Sequence, residues 1–314
     1  MTSNPGSADD PTGSAGGPAE LVRRQDFDTP GPITVDIGNG LGPVVVELSD
    51  TTTTHVEVRH DAGPALPDWR AGLSGLLNWV SDQFGDSGPL ADARAQPVEE
   101  AVRRTRIDLA GNRLAVRTPT TSPLRGVPLA VRVQAPQDSE ITLHTGAGEV
   151  TVTGVAGRVS VQGGSGAVAI AHAADRANVR SGSGPLRLGT MAAGVQARSG
   201  SGDVEIAAVE GASTVATGSG AVWLGSVSAD VLVRSGSGDI AVADAAGGEV
   251  ELITGSGEVV VSLRRGVAAE VDLTSSTGSA TSDLDVTDEP PATEPGLRVF
   301  ARTGNGDATL TRAV

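Results

Sequence analysis

The sequence contains no cysteine and no lysine. The first absence excludes disulfides, thiolate metal sites and cysteine nucleophiles together. The second excludes Schiff-base and P-loop lysine chemistry and makes all 23 basic residues arginine. Tyrosine is also missing and aromatics are 2% of the 314 residues, so small β-branched side chains must fill the interior in place of large rings. No apolar run approaches the ~18 residues of a membrane span, and Met1–Glu20 has no basic stretch followed by an apolar one. These absences predict a cytoplasmic chain with no transmembrane segment.

Positive charge is scarce too. A net charge of −15 repels phosphate backbones, and no basic stripe interleaved with aromatics offsets it, so nucleic acid is not an expected partner. Most of the excess acid lies outside the middle of the chain, in flanks that favour solubility.

What the sequence has in abundance is glycine in a fixed period. Gly-x-Gly elements recur as Gly146 and Gly148, Gly164 and Gly166, Gly182 and Gly184, Gly200 and Gly202, Gly218 and Gly220, Gly236 and Gly238, and Gly255 and Gly257. Their spacing is eighteen residues five times and nineteen once, with Glu249 the expected extra residue. Three residues before each pair stand Leu143, Val161, Val179, Ala197, Val215, Val233 and Leu252. Four and six after each first glycine stand further apolar residues, from Val150 and Val152 to Val259 and Val261, and another column reads Val155, Met191, Val209 and Val227. Such identity column by column predicts stacked coils. The expected fold is all-β: a single-chain β-solenoid, β-helix-like, of about 18-residue coils with a Gly-Ser-Gly corner, plus one inserted amphipathic helix. The corner glycines are expected to supply backbone angles that a Cβ forbids. An antiparallel meander of hairpins is the structural rival.

The flanks divide around this seven-coil core of residues 141–267. Residues 1–29 are polar and Gly/Pro-rich and read as a disordered tail, with structure starting near Pro30. Residues 30–140 alternate as degenerate strands, interrupted by a helical insertion over 61–104. Inside it Trp69, Leu73, Leu76, Leu77, Val80 and Phe84 form one helical stripe, with Asp68 as N-cap and Gly85 at the end, and a shorter helical turn follows from Pro97 to Arg104. Residues 268–314 are degenerate coils around an acidic, Pro-rich loop at 287–296. Val299, Ala301, Gly304-Asn305-Gly306, Ala308 and Leu310 return to the core columns. The exposed last coil needs edge protection, for which Arg312 and the charged loop are candidates.

The segments Arg198-Ser-Gly-Ser-Gly-Asp203 and Arg234-Ser-Gly-Ser-Gly-Asp239, with the ending Val299-Phe-Ala-Arg-Thr-Gly-Asn-Gly-Asp307, resemble the bacterial, especially actinobacterial, "putative adhesin" β-strand-repeat family. The resemblance runs from about residue 30 to the end. It implies a β-solenoid and no established activity.

Acids follow the second glycine at Glu149, Asp203, Asp239, Glu258 and Asp307. A calcium β-roll would place the acid one residue later and in every coil, whereas Ala167, Pro185 and Ala221 stand here in three of them, so calcium is disfavoured. These acids are instead expected to face Arg180, Arg198, Arg234 and Arg302 as exposed pairs. His55, His60, His144 and His172 have no metal-ligand company, the corner serines have no His–Asp partners, and no helix follows the glycines to make a phosphate loop. Neither a catalytic residue, a metal site nor a cofactor is expected.

One outward column is informative. Thr153, Ala171, Gly189, Ala207, Gly225 and Ala243 make a smooth strip, and beside it stands Trp223, the only aromatic of the core. Either the inserted helix covers it, through Trp69, Leu73 and Leu77, or a protein partner or second copy does, with Trp79 off the main stripe and available for contact. The sequence thus points to a non-catalytic β-solenoid scaffold or protein-interaction module, adhesin-like by repeat only. A carbohydrate-binding or carbohydrate-cleaving β-helix is the alternative.

Overall fold

The computed structural model describes residues 21–61, 89–284 and 295–313. The N-terminal part runs β1 (Val22–Asp28), β2 (Thr34–Asn39), β3 (Val44–Ser49), β4 (Thr53–His60), α1 (Pro89–Arg104), β5 (Arg106–Ala110), β6 (Arg113–Arg117) and β7 (Leu129–Pro136). The middle runs β8 (Glu140–Thr145), β9 (Val150–Ala156), β10 (Val159–Gln162), β11 (Val168–Ala173), β12 (Ala177–Ser181), β13 (Leu186–Met191), β14 (Val195–Ser199) and β15 (Val204–Val209). It continues with β16 (Ser213–Thr217), β17 (Val222–Val227), β18 (Val231–Ser235), β19 (Ile240–Ala245), β20 (Gly248–Thr254) and β21 (Val259–Leu263). The last strands are β22 (Ala269–Ser275), β23 (Ala280–Ser282), β24 (Leu297–Thr303) and β25 (Ala308–Arg312).

In the middle of the chain each coil is two strands. The even-numbered strands β8 to β20 lie side by side in one sheet and the odd-numbered β9 to β21 in the other, all parallel. This is a two-sided β-solenoid; the antiparallel meander is ruled out. Equivalent residues stack in register, Val159 on Ala177 and Leu186 on Val204, because alternate side chains of both sheets must enter one shared core. Leu143, Val161, Val179, Ala197, Val215, Val233 and Leu252 are fully buried there. The inserted residue lies between Ala245, still eighteen from Val227, and Val250, nineteen from Val231. In the first coil a register shift at Gly154 (φ +83°) brings Ala156, not Val155, into the column of Met191 and Val209.

The order of the rungs differs from the order of the chain at both ends. The coil β2–β3 is inserted between β6–β7 and β8–β9, and β24–β25 is inserted between β20–β21 and β22–β23. The stack therefore ends in β22–β23, and Arg312 is not at its edge: β25 is paired on both sides, with β21 and β23. Strand β22 alternates half-buried and exposed residues and β23 is exposed throughout.

At the other end the solenoid closes with antiparallel strands, β5 on β6, β4 on β7 and β1 on β4. Ordered chain thus begins well before Pro30, with β1 pairing from Val22. Helix α1 ends at Arg104, as expected for the turn Pro97 to Arg104, but starts at Pro89, eight residues before Pro97, which lies inside it. It packs by Ala101 and Val102 on this cap, near β1, β4 and a 3-10 turn at Leu124–Gly126. The guanidinium of Arg23 donates to the carbonyls of Arg103 and Thr105 at its end. The stripe expected over 68–84 lies outside the described residues.

Candidate functional site

The corners carry the recurring Gly-x-Gly pairs and, in five of them, an acid directly after the second glycine. None of the corner glycines has φ in the left-handed range; the expected conformational reason is corrected by a spatial one. A Cβ on Gly202 would come 2.2 Å from the carbonyl oxygen of Gly184, and one on Gly182 would come 2.7 Å from that of Gly164. Successive corners are that close because they hydrogen-bond directly, as in Gly182 N–H to Gly164 O at 2.8 Å and Gly200 N–H to Gly182 O at 2.9 Å.

From Thr217 onward a hydroxyl column supports the corners from inside. Thr254 Oγ1 accepts the N–H of Gly257 at 3.2 Å and donates to the carbonyl of Gly238, one coil back, at 2.9 Å. Thr303 repeats this with Gly306 and Gly257, while Ser235 and Thr217 accept from Gly238 and Gly220. The sequence signal is a Ser or Thr immediately before the first glycine of each of these coils.

The corner acids do not pair with the arginines. Asp203 Oδ1 accepts the backbone N–H of Ala221 at 2.9 Å, Asp239 that of Glu258 at 2.8 Å and Asp307 that of Ser279 at 2.8 Å. The Ser279 backbone and hydroxyl hydrogen bonds hold the Asp307 carboxyl below its ordinary range. These three aspartates thus cap the equivalent position of a neighbouring rung, while Glu149 and Glu258 make no such bond with a described residue. Arg302 reaches Asp272 on β22 at 3.8 Å, and Arg180, Arg198 and Arg234 have no ion pair with a described residue.

The two sheets present different outer faces. On the odd-numbered sheet the strip of Thr153, Ala171, Gly189, Ala207, Gly225 and Ala243 runs along the axis. Trp223 is 42% exposed and sits in the neighbouring column between Glu205 and Ala241. Its ring folds over its own strand: a Cβ on Gly225 would meet Trp223 Cη2 at 3.2 Å. Next to it is a shallow trough of about 300 Å³ over Ala169, Ala171 and Gly189, bordered by Arg187 and Glu205, whose charged atoms are 3.9 Å apart. Trp69, Trp79, Leu73 and Leu77 lie outside the described residues, so nothing in the structure brings them to this strip.

On the even-numbered sheet one outward column reads His144, Gln162, Arg180, Arg198, Ala216, Arg234, and the next reads Thr142, Ser160, Asn178, Gln196, Thr214. At the capped end this face opens into a groove of about 880 Å³ lined by Arg104, Arg106, Arg117, His144 and Gln162 among others. Below it, Asp36 is 3% exposed and accepts from Arg113 and Arg117, each at 2.6 Å, through the same oxygen. Burial pushes the Asp36 carboxyl up, but the hydrogen bonds and charges of Arg117 and Arg113 outweigh it and hold the group below the ordinary carboxylate range.

Among the described residues no three His, Asp or Glu converge as a metal site. His55 Nδ1 lies 2.8 Å from Asp26 on the cap, His144 lines the groove, and His172 is stacked beside Thr190 in the odd-numbered sheet. No helix of the described residues is long and apolar enough to cross a membrane.

The family model described as Toastrack DUF4097 matches residues 128–310, more than half of the chain. The chain is similar to a solved "putative adhesin" of Bacteroides fragilis at 12% identity, with 92% of this chain and 96% of that one covered and a TM-score of 0.40. It is also similar to a "putative adhesin" of Parabacteroides merdae at 10% identity, covering 93% and 96% with a TM-score of 0.36. A "putative lipid binding protein" of Parabacteroides distasonis matches at 8% identity, covering 91% and 96% with a TM-score of 0.29. No curated protein matches the sequence.

Proposed function

The chain belongs to the Toastrack DUF4097 family, a domain family of unknown function, and from that premise we propose that it is a non-catalytic interaction module offering its odd-numbered sheet face to a protein partner or a second copy of itself. The observation that carries this reading is Trp223. Large aromatics are the costliest side chains to leave in water, and this one is 42% exposed on a rigid sheet, beside a strip too small to shelter it and a shallow trough. A flat face of this kind brings contact area to a partner without converging reactive groups on one point, which suits binding better than chemistry.

A photo-crosslinking residue at Ala207, in the strand next to Trp223, tests this in the native cell. A discrete adduct is expected there that is lost on Trp223→Ala while the melting temperature is kept. The same residue at Gln196, on the opposite face, serves as the control. Light scattering across a wide concentration range separates the self-association branch from a foreign partner. No adduct at Ala207, or one indifferent to Trp223→Ala, overturns the reading.

A further inference from the structure

The protein carries a net charge of −15, yet one of its faces is basic. On the even-numbered sheet, Arg180, Arg198 and Arg234 share a column, and Arg158 and Arg176 precede Val159 and Ala177 at the opposite border of the same face, a position held by Gly194, Ala212 and Asp230 in the coils that follow. All five are exposed and none forms an ion pair with a described residue. The strands β10, β12, β14 and β16 contain no acid at all. Between the two arginine borders runs the uncharged column of Ser160, Asn178, Gln196 and Thr214, whose hydroxyl and amide groups are half-buried, with Asn178 Nδ2 donating to Gln196 Oε1 at 3.4 Å. At the capped end the track enters the groove where Arg106 also has no ionic partner among the described residues.

We propose that this face binds a linear acidic polysaccharide, lying along the solenoid axis with its carboxylates on the arginines and its hydroxyls on the central column. Rungs repeat at about 4.8 Å, so the track presents a cation at intervals along a straight line rather than at one point, which suits a polymer with repeated charge. Guanidinium groups form forked hydrogen bonds to carboxylate, and the Ser, Asn, Gln and Thr column supplies donors and acceptors for neutral hydroxyls. The even-numbered strands β10 to β18, which carry the track, have no aromatic ring, Phe300 lying further along the same sheet on β24, so the track offers stacking neither to nucleobases nor to neutral sugars, and the polymer's charge has to provide the attraction. It has no apolar cluster to enter a lipid surface either.

The inference is independent of the Trp223 face, and its test separates the two. Binding of polygalacturonate oligomers to the full chain is measured by calorimetry against neutral dextran, phosphatidylglycerol vesicles and single-stranded DNA. Polygalacturonate is expected to bind, more weakly as salt rises, with no signal from dextran. The triple variant Arg180→Gln, Arg198→Gln, Arg234→Gln, altering only exposed side chains, is expected to weaken binding on the order of tenfold or more. Trp223→Ala is expected to leave it unchanged. Absence of binding, binding indifferent to the triple variant, or tighter binding of vesicles or DNA than of the uronate overturns the proposal.

Discussion

The carboxylate of Asp203 accepts the backbone N–H of Ala221, eighteen residues on and one rung along, at 2.9 Å. Asp239 repeats the relationship, its carboxylate accepting the backbone N–H of Glu258, nineteen residues on, at 2.8 Å. These aspartates serve the backbone of the next rung and need no side-chain partner. Asp203→Ala is expected to cost up to about 1 kcal/mol, since the freed N–H is at the surface and water replaces the acceptor. Chemical denaturation checks this, and Asp203→Asn, which keeps an acceptor oxygen, is expected to lose less.

Gly202→Ala sets a new methyl against the Gly184 carbonyl at 2.2 Å, in a stack where neither backbone can retreat without breaking its ladder. The expected loss is about 3 kcal/mol or more, at the upper end of what overpacking costs. Gly296→Ala, whose methyl would meet nothing within 4 Å, is expected to change the melting temperature little. Equal effects of the two would refute the close-approach account of the corners.

Thr254→Val keeps the volume of the side chain and removes only its hydroxyl. The Gly257 N–H and the Gly238 carbonyl then lose their partner in a buried place, at an expected cost of ~1–3 kcal/mol. Hydrogen exchange is expected to quicken at Gly257 before it does at the strand centres.

Asp36 gives the pH response its sign. A carboxyl held below its ordinary value in the fold contributes stability above its unfolded pKa, and loses that contribution as pH falls through the folded value. Asp36→Asn is expected to destabilise at neutral pH by ~1–3 kcal/mol, discounted from a fully buried pair because Arg113 and Arg117 are 61% and 43% exposed. The gap between variant and parent is expected to narrow below about pH 4, as thermal melts across that range would show.

The repeat was legible because eighteen-residue stacking forces Val179, Ala197, Val215 and Val233 into one buried line, and a column of that kind is visible in sequence. The order of the end rungs was not. Ile37 pairs with both Val116 and Leu143, and parallel ladders of valine and isoleucine accept any neighbour of the same register. Strand β1 was missed because Val22–Asp28 is an edge strand with little buried surface, so its pattern carries no core signal. The arginine column was visible at its eighteen-residue spacing. Its reading as partners for the corner acids failed because a carboxylate at a sheet corner has a closer donor in the next backbone. Of the candidate interaction strip, the small residues and Trp223 could be read directly, but the folding of the indole over Gly225 depends on a rotamer that sequence does not specify.

The insertion of β24–β25 beneath the outermost rung has a mechanical consequence. Strand β25 is gripped on one side by β21 and on the other by β23, and β24 likewise by β20 and β22. A tensile load applied beyond Arg312 therefore has no free strand to peel away one hydrogen bond at a time. It must draw a strand lengthwise out of a slot, shearing two ladders at once, so that the rung nearest this end of the chain is held by its neighbours like a leaf bound inside a book.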